Sequence, residues 1–151
     1  MFRYASIGTY IRPYCTMANP TKNNTEDQEH RNGHILVVDD ETAVRRLTKR
    51  ILAIKGYSVT TCAGGAQAVK IYARDHDKID LVILDMVMPG LNGTETLRQF
   101  KQIDPTVRVI LCSAFVPDIK GHTVADEGFV DLISKPFKID DLLAITDLHM
   151  K

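Results

Sequence analysis

The chain has 151 residues, which is enough for one domain with a sizeable core and hardly enough for two. Its 19 lysines and arginines balance 19 aspartates and glutamates, so net charge provides no general affinity for nucleic acid or acidic membranes. No apolar run approaches the roughly 20 residues of a membrane-spanning helix. The three cysteines lack CxxC spacing, which argues against a disulfide framework and fits a reducing cytoplasm.

The first 32 residues differ in composition from the rest of the chain. No acidic residue occurs between Met1 and Thr25, and Glu26, Asp27 and Glu29 then follow close together. Turn-forming pairs of asparagine, proline and glycine interrupt the segment, and no continuous apolar core suggests a secretory signal. We predict a disordered N-terminal extension over 1–32 and one folded domain over 33–151.

From His34 onward, β-favouring runs alternate with amphipathic segments of helical spacing. The predicted strands cover about 34–38, 57–62, 79–84, 107–111 and 129–133. The predicted helices cover about 42–55, 66–75, 93–102 and 117–126, and a fifth begins at Asp140 or Asp141. The apolar face predicted for the first helix consists of Val44, Leu47, Ile51 and Ile54. This alternation indicates a parallel α/β sheet covered by helices on both faces.

Two of the predicted strands run directly into acidic residues. The apolar residues 81–84 end at Asp85, and the run 35–38 ends at Asp39 and Asp40. In open parallel sheets, ligands bind outside the carboxyl ends of the strands, where the strand order reverses. If these two strands are neighbours, three aspartates point into one small volume.

Two further polar residues follow strands at the same edge of the predicted sheet. Ser113 comes after strand four, and Lys135 comes after strand five. Three crowded carboxylates repel one another, and Mg²⁺ relieves that repulsion because it prefers hard oxygen ligands. With Mg²⁺ and the Lys135 ammonium offsetting the charge, Asp85 could act as a carboxylate nucleophile toward phosphorus.

The chain from His34 to Lys151 resembles the receiver domain of two-component response regulators over essentially its whole length. The matching motifs, in the family's order and approximate spacing, are Val38-Asp39-Asp40-Glu41, Leu84-Asp85-Met86-Val87-Met88-Pro89-Gly90, Ser113-Ala114 and Lys135-Pro136-Phe137. The resemblance implies a flavodoxin-like (βα)5 fold with three α/β/α layers and strand order 2-1-3-4-5.

The resemblance also implies roles for individual residues. Asp85 is then the phosphoacceptor, and the ligands of Mg²⁺ are Asp39, Asp40, Asp85 and the Val87 carbonyl. Ser113 and Lys135 bind the phosphoryl oxygens, and Ser113 belongs to the switch. The second switch position, three residues before the lysine, often carries tyrosine or phenylalanine in this family. Leu132 stands there in this chain, which puts switching through an aromatic rotamer in doubt.

The resemblance implies a histidine kinase or a histidine phosphotransfer protein as the phosphate donor, and a downstream protein target that the sequence does not identify. The expected protein is a monomer or a phosphorylation-dependent dimer without direct contact to nucleic acid or membrane. Because the chain ends soon after helix five, we expect no output domain. The basic residues of the first helix, Arg45, Arg46, Lys49 and Arg50, fit a solvated face better than a nucleic-acid patch.

Other interpretations of these residues stay open. Asp40 or Glu41 could merely cap a helix, Ser113 could be a turn hydroxyl, and Lys135 could be a surface charge. A Mg²⁺-dependent phosphatase with an aspartyl-phosphate intermediate is an alternative function. However, phosphatases resembling the haloacid dehalogenase family carry an aspartate two residues after the nucleophile, where this chain has Val87. A phosphorylation-independent interaction domain is a third possibility.

Overall fold

A computed structural model describes residues 32–114 and 123–150, within which five strands alternate with five helices. The strands are β1 (His34–Val38), β2 (Ser58–Cys62), β3 (Leu81–Asp85), β4 (Val109–Ser113) and β5 (Asp131–Ser134). The helices are α1 (Thr42–Ile54), α2 (Gly65–Asp75), α3 (Gly93–Ile103), α4 (Val124–Glu127) and α5 (Ile139–His149). None of the helices in the described ranges is long and apolar enough to cross a membrane.

The five strands form one parallel sheet in the order β2-β1-β3-β4-β5. The chain moves outward from β1 to β2 and then returns to place β3 on the other side of β1. The carboxyl ends of β1 and β3 therefore flank the point where the strand order reverses, which is where such sheets bind ligands. The predicted fold class and strand order are confirmed.

Alternate residues of each central strand enter separate cores on the two faces of the sheet. In β3, Val82 and Leu84 join the core that α2 and α3 cover, whereas Leu81 and Ile83 join the core beneath α1 and α5. All five residues of β3 are buried, as expected for a parallel strand covered on both faces. This double covering holds the acidic end of β3 in place from both sides.

The fourth strand begins two residues later than the predicted 107–111. Asp104 makes a turn first, because its Oδ1 accepts hydrogen bonds from the Thr106 N–H at 2.8 Å and from the Thr106 hydroxyl at 2.7 Å. Val107 then donates its N–H to the Asp104 carbonyl instead of joining the ladder. As a result, β4 reaches Ser113, which is the last residue of the strand. Strand five similarly starts at Asp131, after Gly128 has ended α4 with a φ of 97°.

The buried face of α1 differs from the predicted one. The helix buries Thr48, Ile51 and Leu52, while Leu47 is 53% exposed and Ile54 is 80% exposed. Leu47 and Ile54 are seven residues apart and share a flank roughly 100° from the centre of the buried stripe. Apolar spacing identified the helix correctly, but the sheet beneath it selects a stripe that includes a threonine.

Several predictions fall partly or wholly outside the described residues. These include the N-terminal extension up to residue 31 and most of predicted helix 117–126. At the boundary, the Asn32 side-chain amide donates a hydrogen bond to the Lys55 carbonyl at 2.8 Å. The remaining helix and strand bounds agree with the predicted ones to within one or two residues, a normal margin for element ends.

Candidate functional site

Three carboxylates meet at the carboxyl edge of the sheet. Asp85 is the last residue of β3, and Asp39 and Asp40 directly follow β1. One oxygen of each carboxylate lies within 4.8 Å of the others. Asp39 and Asp85 are buried, whereas Asp40 is exposed to solvent. The convergence expected from the two acid-tipped strands is therefore present.

A lysine ammonium group lies among these acids. Lys135 Nζ is 2.7 Å from Asp39 Oδ2 and 3.4 Å from Asp85 Oδ2, and its side chain is only 10% exposed. The backbone places this lysine directly after β5, where its N–H donates to the Ser113 carbonyl at 2.8 Å. Glu41 Oε1 lies 3.7 Å from the same ammonium group, a contact that the sequence did not predict. Lys135 is thus a largely enclosed counterion and not a surface charge.

Backbone N–H groups orient two of the carboxylates. Asp39 Oδ1 accepts the Glu41 N–H at 2.8 Å, so both oxygens of Asp39 are engaged once its bond to Lys135 is counted. Asp85 Oδ1 accepts a longer bond of 3.4 Å from the Val87 N–H. Glu41 occupies the N-cap position of α1 without a capping hydrogen bond from its side chain. Its carboxylate faces the ammonium group, which disfavours the interpretation of Glu41 as a simple helix cap.

Electrostatics at Asp85 and Lys135 reflect this crowding. Burial raises the pKa of Asp85, and the charge of Asp39 adds to the increase, while Lys135 and the Val87 N–H oppose it. Burial alone would lower the pKa of Lys135, but its hydrogen bond to Asp39 and the charges of Asp39 and Asp85 raise it overall. The lysine therefore stays charged at neutral pH, whereas ionised Asp85 is destabilised in the folded protein.

The sheet register brings Ser113 to the same edge. Asp85 pairs with Cys112 in the ladder between β3 and β4, and Ser113 is the next residue along β4. Ser113 is buried and pairs with Ser134 of β5, immediately before Lys135. Of the two residues that were predicted to contact phosphoryl oxygens, Ser113 is thus the last residue of β4 and Lys135 directly follows the adjacent strand β5.

The remaining predicted site residues have different surroundings. Leu132 lies in β5, is partly buried and packs against the core beneath α2 and α3. Val87 follows β3 in the loop and is 70% exposed. No aromatic ring occupies the Leu132 position, so an inward rotation of an aromatic side chain is not available there.

The donor set fits a hard divalent cation. Three carboxylates each offer an oxygen within 4.8 Å of the others. The pKa of Asp85 is raised, so Lys135 and the Val87 N–H do not fully offset the cost of burying its negative charge. Mg²⁺ is commonly held by one or two carboxylates while it retains several waters, and the exposed Asp40 leaves room for such waters.

Comparison with known proteins identifies the family. The family model for the response regulator receiver domain matches residues 35–147. The chain belongs to this family. As a receiver domain, it is a phosphoacceptor module of two-component signalling.

Relatives of similar length support the assignment to receiver domains. The chain is 40% identical to the chemotaxis protein CheY of Bacillus subtilis, over 72% of this chain and 90% of that protein. It is 35% identical to sporulation initiation phosphotransferase F of the same organism, over 74% and 88% respectively. Other relatives are longer than this receiver domain. The chain spans about half of the transcriptional regulatory protein YkoG (48%) and 21% of the Candida albicans transcription factor SKN7.

Solved structures of receiver domains share the fold. The CheX-CheY-BeF3-Mg complex from Borrelia burgdorferi matches with a TM-score of 0.70 and 30% identity, over 79% of this chain and 90% of that one. The response regulator TrrA from Thermotoga maritima, in complex with Mg and BeF, matches with a TM-score of 0.70 and 30% identity, over 78% and 99%.

Proposed function

We propose that Asp85 accepts a phosphoryl group from a histidine kinase or a histidine phosphotransfer protein in a Mg²⁺-dependent reaction. The observation that carries the proposal is the position of Lys135 Nζ, 2.7 Å from Asp39 and 3.4 Å from Asp85. This contact places a fixed cation beside the carboxylate that attacks. The phosphorylated domain then presents an altered surface to a downstream protein.

The chemistry follows from the side chains at this edge of the sheet. An ionised oxygen of Asp85 attacks phosphorus as the P–N bond of the phosphohistidine breaks, and the electron pair of that bond stays on the donor's imidazole. The transition state is loose, so the protein contributes mainly by positioning groups and offsetting charge. Lys135 and the Ser113 hydroxyl contact the phosphoryl oxygens. Asp39, Asp40, Asp85 and the Val87 carbonyl would hold Mg²⁺, and the bound ion would supply further positive charge beside those oxygens.

A phosphatase would need a group that helps water to attack the phosphorylated Asp85. Val87, two residues after Asp85, has an exposed aliphatic side chain that cannot transfer a proton. The test is to supply excess acetyl phosphate with Mg²⁺ and to count inorganic phosphate released per chain. We expect slow release limited by decay of the phosphorylated protein. Rapid release of many equivalents would establish the phosphatase instead.

Asp40→Ala is expected to weaken Mg²⁺ binding about tenfold, equivalent to about 1.4 kcal/mol, because it removes a charged oxygen from the cluster. The affinity is measured by calorimetric titration. Asp77→Ala removes an exposed aspartate after α2 and serves as the matched control. An unchanged affinity in Asp40→Ala would show that Mg²⁺ binds elsewhere.

Val87→Asn combined with Phe115→Ala is expected to accelerate loss of phosphate from Asp85 about tenfold, which corresponds to about 1.4 kcal/mol of barrier. Val87 offers no hydrogen bond to orient an attacking water. Phe115, two residues after Ser113, is bulky enough to obstruct that water; it lies outside the described residues, so its part in the prediction rests on sequence alone. The assay follows decay after removal of the donor, with Val130→Asn, which precedes β5, as control. Wild-type decay within seconds, or a double variant that decays no faster, would refute slow self-dephosphorylation.

Residues 1–31 are proposed to be dispensable for phosphorylation, since the receiver pattern starts near His34. A protein beginning at Asn32 keeps the bond from that side chain to Lys55. We expect this protein to bind Mg²⁺ and take phosphate at rates close to those of the full chain, with a cooperative melt. Loss of that melt would show that the N-terminal residues stabilise the domain.

A further inference from the structure

Arg45 differs from the other basic residues of α1 in its contacts. Its guanidinium folds back toward the start of the helix, where Nη1 donates to the Asp39 carbonyl at 2.6 Å and lies 3.3 Å from the Asp40 carbonyl. Nη2 donates to Thr42 Oγ1 at 3.3 Å. The side chain is partly buried, whereas the neighbouring Arg46 is exposed. Arg46, Lys49 and Arg50 are exposed, as predicted for a solvated face, and Arg45 differs from them by its partial burial and its backbone contacts.

The two carbonyls that Arg45 contacts belong to Asp39 and Asp40, which contribute two of the three carboxylates of the acidic cluster. The carboxyl carbon of an aspartate lies two bonds from Cα, so fixing the adjacent peptide units fixes the Cα–Cβ direction and leaves rotation about χ1 to place the carboxylate. Asp39 has further contacts, since Glu41 N–H and Lys135 both bind its carboxylate. Asp40 is exposed, and its backbone contact with Arg45 constrains it from the protein side.

We propose that Arg45 is a positioning residue for the phosphoacceptor site, which holds the loop between β1 and α1 so that Asp39 and Asp40 point at the metal position. The inference rests on the proposed function, because it assigns those carboxylates to Mg²⁺. Nη1 reaches both carbonyls while Nη2 bonds Thr42 Oγ1, so the rigid planar fork is anchored at both arms. A lysine ammonium acts instead as a compact point charge on a flexible stem. Residues that orient metal ligands in this way typically change metal affinity by about tenfold or more when they are replaced.

The test compares Arg45→Ala, Arg45→Lys and the matched control Arg46→Ala. Calorimetry gives the Mg²⁺ affinity of each protein, and thermal melting in EDTA reports folding without metal. We expect Arg45→Ala to bind Mg²⁺ about tenfold more weakly than wild type. Its phosphorylation by acetyl phosphate should be slow at low Mg²⁺ and should approach the wild-type rate when Mg²⁺ saturates the site. Arg46→Ala should match wild type in all three measurements.

Arg45→Lys separates geometry from charge, and it also decides the outcome if Arg45→Ala fails to fold. The lysine keeps the positive charge but loses the fork, so we expect its Mg²⁺ affinity to remain well below that of wild type. If Arg45→Lys binds Mg²⁺ as tightly as wild type, Arg45 acts only through its charge and the positioning proposal is overturned. Wild-type affinity in a folded Arg45→Ala would also overturn the proposal. If the wild type itself neither binds Mg²⁺ nor takes phosphate, the proposed function fails instead.

Discussion

Lys135→Ala is expected to lower the free energy of unfolding of the metal-free domain by about 3 kcal/mol. The substitution leaves the buried carboxylates of Asp39 and Asp85 without the ammonium that lies 2.7 Å and 3.4 Å from them. Removing one partner of a buried ion pair is costly because an uncompensated charge remains. The measurement is urea denaturation in EDTA, with Lys138→Ala as control because Lys138 is exposed three residues away.

The same variant separates phosphate uptake from the response to it. We expect Lys135→Ala still to take phosphate on Asp85, slowly, because the nucleophile and the acidic cluster remain. The conformational response should weaken, since the cation beside Asp85 is gone. Chemical-shift changes on phosphorylation report that response. A stability equal to that of Lys138→Ala, or shift changes as large as in wild type, would contradict the role of Lys135.

Asp85→Asn is expected to abolish phosphorylation and yet to stabilise the metal-free domain at neutral pH. Burial and the nearby Asp39 raise the pKa of Asp85, so the folded protein holds this proton more tightly than the unfolded chain does. The stability that Asp85 contributes is thus complete below the ordinary aspartate pKa of about 3.9 and is lost as pH rises through the raised value. A neutral asparagine avoids this loss.

The pH dependence of the unfolding free energy tests whether folding raises the pKa of Asp85. In EDTA, the difference in unfolding free energy between Asp85→Asn and wild type should be largest at neutral pH, should shrink as pH falls through the raised pKa of Asp85, and should reach its minimum below the ordinary aspartate pKa of about 3.9. Asp77→Asn, an exposed substitution, serves as the control. A destabilised Asp85→Asn at neutral pH would mean that Lys135 more than compensates the buried carboxylate.

The fold and the acidic site could be predicted because the sequence carries strong local patterns for both. Apolar runs such as 81–84 end at the acids that the structure brings together, and the order of the motifs fits a receiver domain. Ser113 was also expected at this edge, although the Asp104 turn shifts β4 by two residues and makes Ser113 part of the strand. In that turn the Val107 N–H donates to the Asp104 carbonyl instead of to a neighbouring strand. The β-propensity of Val107 alone does not predict which of the two hydrogen bonds forms.

The directions and contacts of individual side chains could not be predicted from the sequence. Arg45 and Arg46 are identical in type, and only the path of the chain before α1 brings carbonyls within reach of the first. Glu41 reaches Lys135 from another element of the fold, a contact with no signal in local spacing. The exposure of Ile54 likewise depends on how α1 is rotated over the sheet and not on the period of its apolar residues.

The most direct test of the central claim is the intact mass of the protein after treatment with acetyl phosphate. Wild type should gain one phosphoryl group in the presence of Mg²⁺ and none in EDTA, and peptide mapping should place the group on Asp85. Asp85→Asn, which keeps the shape of the site, should gain none under either condition. Equal phosphorylation of wild type and Asp85→Asn, or a gain that does not depend on Mg²⁺, would contradict the assignment of Asp85 as the Mg²⁺-dependent phosphoacceptor.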